Sequence, residues 1–316
     1  MKYAMLFPGQ GSQSVGMLAA LAAAHPVVEQ TFTEASGVLG WDVGKLIRSG
    51  PEAELNRTDR TQPALLAAGI AVWRVWQENA PPPPVAMAGH SLGEYAALVA
   101  AGSLSFADAL KIVELRGQLM QEAVPAGSGG MSAVMGLDDA GVEKLCATYA
   151  GTHTHEVLEP VNYNAPGQVV VAGTSAALKW LDGHGKEHGA KLVVRLPVSV
   201  PSHCSLMKMT ALKFSGRLTQ FTFHSPVIPV LHNLDAGQHT QPVALRGTLR
   251  EQLYKPVRWV QTIQALAGQS VTLFLECGPG KVLSGLNKRI GKLSSIALED
   301  PAGMQEALQQ IKGPPA

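Results

Sequence analysis

Three short apolar runs, Tyr3 to Phe7, Val85 to Ala88 and Val271 to Leu275, each pass into a glycine-rich turn and then a helical pattern. That repetition predicts an α/β fold with a mostly parallel sheet, and it places functional loops at the carboxyl ends of the strands. The second repeat is the most specific. Its turn is Gly89-His90-Ser91-Leu92-Gly93, a G-x-S-x-G sequence, and Ala96 to Ala101 follows as a helix former. Strand, sharp turn and helix are the setting of a nucleophile elbow, where small glycines let the turn close while the serine hydroxyl stays exposed at its apex. The competing reading is a chance serine in a tight turn, and the flanking strand and helix favour the nucleophile.

Composition narrows the class. With 316 residues, 46% of them hydrophobic, the chain can bury a sizeable core as one large domain or two. A net charge of +1 without basic blocks gives no reason to propose nucleic acid as a partner. Cys146, Cys204 and Cys277 cannot all pair and are too scattered for a zinc site, so no metal is expected and a reducing cytoplasm is the natural setting. The first apolar run is cut off by Pro8 and Gly9, and Ala64 to Trp76 is interrupted by Arg74; neither reads as an export signal or a membrane span.

The middle of the chain has a different rhythm. Gly130 to Gly136 reads as a strand, Asp138 to Tyr149 as a helix and Val157 to Tyr163 as a strand, with Asn164-Ala165-Pro166-Gly167 as a turn. Val169 to Ala172 follows as a strand, Ser175 to His188 as a helix and Lys191 to Leu196 as a strand. The order βαββαβ is ferredoxin-like. We therefore expect a small domain, residues 127–197, inserted into a large hydrolase-like α/β domain formed by 1–126 and 198–316, with a ligand cleft between them.

A serine hydroxyl is a weak nucleophile at neutral pH and needs a base within hydrogen-bonding reach. Of the ten histidines, His90 reads as structural because side chains adjacent in a tight turn diverge, and His153 and His155 lie in a polar loop. His203 and His232 each follow an extended run back into the large domain. Spacing favours His203, with a helix-cap histidine as the alternative. Arg116 is the third informative residue. It falls on the apolar stripe of Phe106, Ala109, Val113 and Met120, in a helix that Ser105 caps with Asp108, and so should face inward. A buried guanidinium needs an anion, either a substrate carboxylate held through its planar fork or an internal partner such as Glu94 or Glu122, unless the side chain snorkels to the surface. The first turn, Phe7 to Gln13, has its glycines misplaced for a dinucleotide fingerprint; with the elbow it could instead bring the Gln10 and Leu92 amides toward an oxyanion.

Taken in order, Phe7 to Gln13, Gly89 to Tyr95, Arg116-Gly117, Val198 to Cys204 and Glu276 to Lys281 resemble the malonyl-CoA:acyl carrier protein transacylases of bacterial fatty acid synthesis, over roughly Tyr3 to Ile290. The resemblance implies Ser91 as the acylated nucleophile, His203 as its base, Arg116 as the clamp for the malonyl carboxylate, and Gln10 and Leu92 as oxyanion-hole amides. It also implies Gln62 and Asn162 near the acyl pocket and a backbone carbonyl, aligned at Arg258, that orients the histidine. No resident cofactor is implied. The expected partners are malonyl-CoA and an acidic acyl carrier protein, met through Lys281, Lys288, Arg289 and Lys292, by a cytoplasmic monomer. A serine esterase or thioesterase, or the acyltransferase subunit of a malonate decarboxylase or polyketide system, are the competing functions, with Arg116 discriminating against hydrolysis.

Overall fold

Alternate residues of the first apolar run enter different cores. Tyr3, Met5 and Phe7 pack on one side and Ala4 and Leu6 on the other, because side chains in a strand point to opposite faces. This strand, β1 (Tyr3–Phe7), is buried throughout, as a strand with helices on both faces must be. The structure is a computed structural model that describes residues 1–125, 127–198, 200–291 and 293–312.

Strand β1 lies in a five-stranded sheet with β2 (Ala86–Gly89), β7 (Val230–Leu231), β8 (Leu273–Glu276) and β9 (Ser294–Ala297), in the order β7-β2-β1-β8-β9. Every pairing in it is parallel. The helices Thr58–Glu78, Gly93–Ala100 and Phe106–Gln121 cover one face, and Trp259–Gly268 and Val282–Gly291 cover the other.

The second sheet contains β3 (Gly129–Met135), β4 (Leu158–Ala165), β5 (Gln168–Thr174) and β6 (Leu192–Arg195), in the antiparallel order β4-β5-β3-β6. With the helices Asp139–Thr152 and Ser175–His184 between them, the chain order is βαββαβ. The helices bury Val142, Leu145 and Leu178 against one face. The other face, with Met131, Ala133 and Val161, packs against Cys204.

Several boundaries differ from the sequence reading, two of them because of turns. β4 runs on to Ala165, because Pro166-Gly167 alone makes the turn, with Gly167 at φ 71°. The second helix stops at His184, and Gly185 to Gly189 turns back to donate and accept locally: Ala190 N–H reaches the Gly185 carbonyl at 3.0 Å. Strand-like bonding ties β4 to the segment that leads into the helix Trp259–Gly268. Val257 N–H donates to Val161 O at 2.8 Å, and Tyr163 N–H donates to Val257 O at 3.0 Å.

Candidate active site

Sterics shape the turn after β2. A Cβ on Gly89 would sit 1.9 Å from the Gly93 carbonyl carbon, and one on Gly93 would sit 2.0 Å from the Phe7 oxygen, so glycine is required at both positions. Ser91, at φ 51°, occupies the left-handed region at the apex. Asn233 fixes this strained turn from outside. Its Oδ1 accepts from Ser91 N–H at 2.6 Å, and its Nδ2 donates to Gly89 O at 2.6 Å.

The Ser91 hydroxyl meets His203 Nε2 at 2.8 Å. His203, at φ 64°, is held by a helix end: its Nδ1–H donates to Gln252 O at 2.6 Å and its backbone N–H to Leu253 O at 2.9 Å. Since a carbonyl can only accept, Nδ1 carries the proton and Nε2 presents its lone pair to the serine. The orienting carbonyl is therefore Gln252, not Arg258. Gln252 ends the helix Pro242–Gln252, and its i+4 residue is Pro256, which has no N–H, so its carbonyl lacks the usual helical donor. Arg258 O instead accepts from Thr262 N–H at 2.9 Å in the next helix. Burial, followed by the positive charge of Arg116, lowers the His203 pKa to about 3, against the pull of the Gln252 carbonyl.

Arg116 is 2% exposed, on the inward stripe of its helix. Its Nη1 donates to Gln62 Oε1 at 2.8 Å, and its Nη2 to Gln252 Oε1 at 3.1 Å and Ser91 Oγ at 3.4 Å. Nε has no acceptor. No carboxylate of the described residues forms an ion pair with it. Neither anticipated internal partner takes that place. Glu122 is exposed just past the helix end, and buried Glu94 is occupied by His232 Nδ1 at 2.7 Å, Asn233 N–H at 3.0 Å and Gln252 Nε2 at 2.9 Å. Desolvation lowers the Arg116 pKa, while Tyr95 and Glu94 act in the opposite sense.

Ser91, His203 and Arg116 line a cleft together with Gln10, Leu92 and Asn162. The Gln10 and Leu92 backbone N–H groups have no backbone acceptor among the described residues, and both residues border the serine's cavity. Asn162, on β4, leaves its Oδ1 unpartnered, while Met131, Leu196 and Val198 add apolar surface from the same side. Gln62, expected near the acyl pocket, is buried behind the cleft-lining Arg116 and holds its guanidinium. His232 is buried on Glu94, and His90 Nε2 meets Asn164 Oδ1 at 2.8 Å. The anticipated basic patch is only partly free. Lys281 pairs with Glu299 at 3.3 Å, Arg289 reaches Gln168 Oε1, Lys288 is exposed, and Lys292 lies outside the described residues.

Sequence reasoning missed Gln252, Asn233 and Glu94. Glu94 was visible only as a possible arginine partner. The Gln252 signal is the proline four residues on; nothing local marks Asn233, which acts 142 residues from Ser91. No group of three or more His, Cys, Asp or Glu among the described residues is arranged to hold a metal ion.

Residues 4–301 match the family model described as the acyl transferase domain. The chain is 52% identical to the malonyl CoA-acyl carrier protein transacylase of Salmonella typhimurium, over 98% of this chain and 99% of the relative. It is 42% identical to the Bacillus subtilis protein of the same name, over 98% of each. Among solved structures, an acyl carrier protein S-malonyltransferase from Vibrio cholerae superposes with a TM-score of 0.93 at 52% identity, covering 98% of this chain and 100% of that one. A malonyl-transacylase in complex with a type II PKS acyl-carrier protein gives 0.95 at 51%, with the same coverage.

Proposed function

This chain belongs to the acyl transferase family, and we propose that it carries a malonyl group from malonyl-CoA to the phosphopantetheine thiol of an acyl carrier protein, supplying fatty acid synthesis. The observation that carries this reading is Arg116, a buried guanidinium within reach of the Ser91 hydroxyl that has no carboxylate partner among the described residues. Leaving such a charge unpaired costs several kcal/mol, roughly 3–5 in comparable sites, and a substrate carboxylate offsets that cost. An acyl thioester with a free carboxylate is the matching ligand.

His203 Nε2 takes the Ser91 proton as the oxygen attacks the thioester carbonyl. The Gln10 and Leu92 amides receive the developing oxyanion. Collapse breaks the carbon–sulfur bond, the coenzyme A sulfur takes the proton from His203, and a malonyl ester remains on Ser91. The carrier thiol then enters the cleft, gives its proton to His203 and attacks the ester, returning the serine hydroxyl. These steps use only side chains and amides, so the reading includes no resident cofactor. Residues 127–197 serve as an inserted wall over the large domain, 1–126 and 198–316. An acidic carrier fits the exposed Lys288 beside Arg289. Three buried free cysteines suit a reducing cytoplasm. Among the described residues, no helix is long and apolar enough to cross a membrane.

Intact-mass measurement after mixing with malonyl-CoA tests the reading. The expected result is one malonyl adduct that is absent in Ser91→Ala and discharged by the free thiol of a phosphopantetheine-bearing, unacylated carrier. Free malonate released without any adduct would replace transfer by hydrolysis.

A further inference from the structure

Arg116 and Glu94 are both buried, of opposite charge, and separated by one side chain. Gln252 Oε1 accepts from Arg116 Nη2 at 3.1 Å, and its Nε2 donates to Glu94 Oε2 at 2.9 Å and to Ser91 O at 3.0 Å. The amide bridges the two ions with each end matched to its neighbour's charge. A direct pair would satisfy both ions and remove the guanidinium's demand for a ligand. On the far side, Gln62 Oε1 supplies a second neutral acceptor, so two dipoles hold Arg116 and neither cancels its charge. Glu94, for its part, is kept in place by His232 and the Asn233 amide.

We infer that the Gln252 side chain is a specificity-positioning residue: it keeps Glu94 off Arg116, so that the guanidinium stays aimed at the Ser91 pocket and unpaired for an incoming carboxylate. The inference rests on the malonyl-transfer reading and deepens it. It gives Gln252 two separable functions, because its main-chain oxygen orients His203 whatever the side chain is. Replacing the amide should thus affect recognition of the carboxylate more than the serine–histidine chemistry. With the spacer gone, Arg116 can turn to Glu94. A carboxylate at position 252 would neutralise it directly.

The test compares Ser91 acylation by malonyl-CoA and acetyl-CoA in the parent, Gln252→Met, Gln252→Glu and the double variant Gln252→Met with Glu94→Gln. Both single variants should lower the malonyl-to-acetyl ratio of kcat/KM by about tenfold or more, chiefly through the malonyl KM. Any loss of kcat from the missing bond to Ser91 O should be common to both substrates. The double variant removes the competing anion and should recover most of the ratio. Gln252→Glu is close to isosteric and keeps the comparison usable if Gln252→Met does not fold. A ratio unchanged in the single variants, or a double variant as unselective as Gln252→Met, overturns the spacer role. Failure of the parent to load malonyl at all would instead refute the proposed transfer reaction.

Discussion

The two walls of the cleft are built differently. On the large-domain side Ser91, His203, Arg116, Gln252, Glu94 and Asn233 are joined in one hydrogen-bond network, most of it buried. Opposite, Met131 and Asn162 of the small sheet and Leu196 and Val198 just after it line the cleft; among these described residues Asn162 is the polar one, and its Oδ1 has no protein partner. Polar groups in a low-dielectric site must be satisfied and mutually aligned, so the first wall tolerates little change. The second depends on shape and one unmade bond. The first wall thus carries the serine–histidine pair and Arg116, and the small sheet helps close the opposite side of the cleft.

Arg116→Ala should break the first wall most. It removes a buried charge that we pair with the substrate carboxylate, a loss of roughly 2–5 kcal/mol, or about thirtyfold to several thousandfold in malonyl kcat/KM. Acetyl-CoA has no carboxylate to lose and should gain relative to malonyl-CoA. Parallel steady-state kinetics on the two thioesters measures this. Equal losses for both would mean that Arg116 supports Ser91 and His203 without reading the substrate.

A smaller effect separates electrostatics from packing within the same wall. Burial and then the Arg116 charge lower the His203 pKa to about 3, and protonation is what inactivates this base. As pH falls, an ordinary imidazole would lose half its activity near 6.5. Here the rate of Ser91 acylation, as kcat/KM, should stay flat from about pH 8 to about 5. A carboxylate bound to Arg116 cancels the charge that repels the imidazolium. His203 is then more basic in the loaded complex, and the acid limb of kcat should lie above that of kcat/KM. Stopped-flow acylation against pH reads both limbs. An acid limb of kcat/KM near pH 6.5 would show that His203 is as solvated as a surface histidine.

Legibility followed the same division. Parallel strands, the elbow and the βαββαβ order are written in local patterns of apolar residues and glycine, and the inward stripe exposed Arg116. Ser91, His203 and Arg116 converge in the structure. The supporting groups were not legible in that way. Gln252 reaches Arg116 across 136 residues and Ser91 across 161, a closeness set by sheet topology rather than by spacing. The Arg258 assignment failed because it followed motif alignment through Lys255-Pro256-Val257-Arg258-Trp259 and not helix-end bonding. Pro256 deprives Gln252 O of its donor, whereas Arg258 starts a helix and has its carbonyl taken up.

The smallest predicted effect tests the second wall. Asn162→Ala removes an amide that is 8% exposed and makes no protein bond through Oδ1, so the free protein loses little and its melting temperature should move by no more than a few degrees. If that amide bonds the thioester or acyl chain, its loss costs about 0.5–1.5 kcal/mol, roughly two- to tenfold in kcat/KM for malonyl and acetyl alike, because both present the same thioester beyond the carboxylate. That common loss contrasts with the selective loss at Arg116. A malonyl-specific defect in Asn162→Ala would move carboxylate recognition onto the small sheet and erase the division between the walls. A loss confined to the carrier half-reaction would instead assign Asn162 to the pantetheine arm.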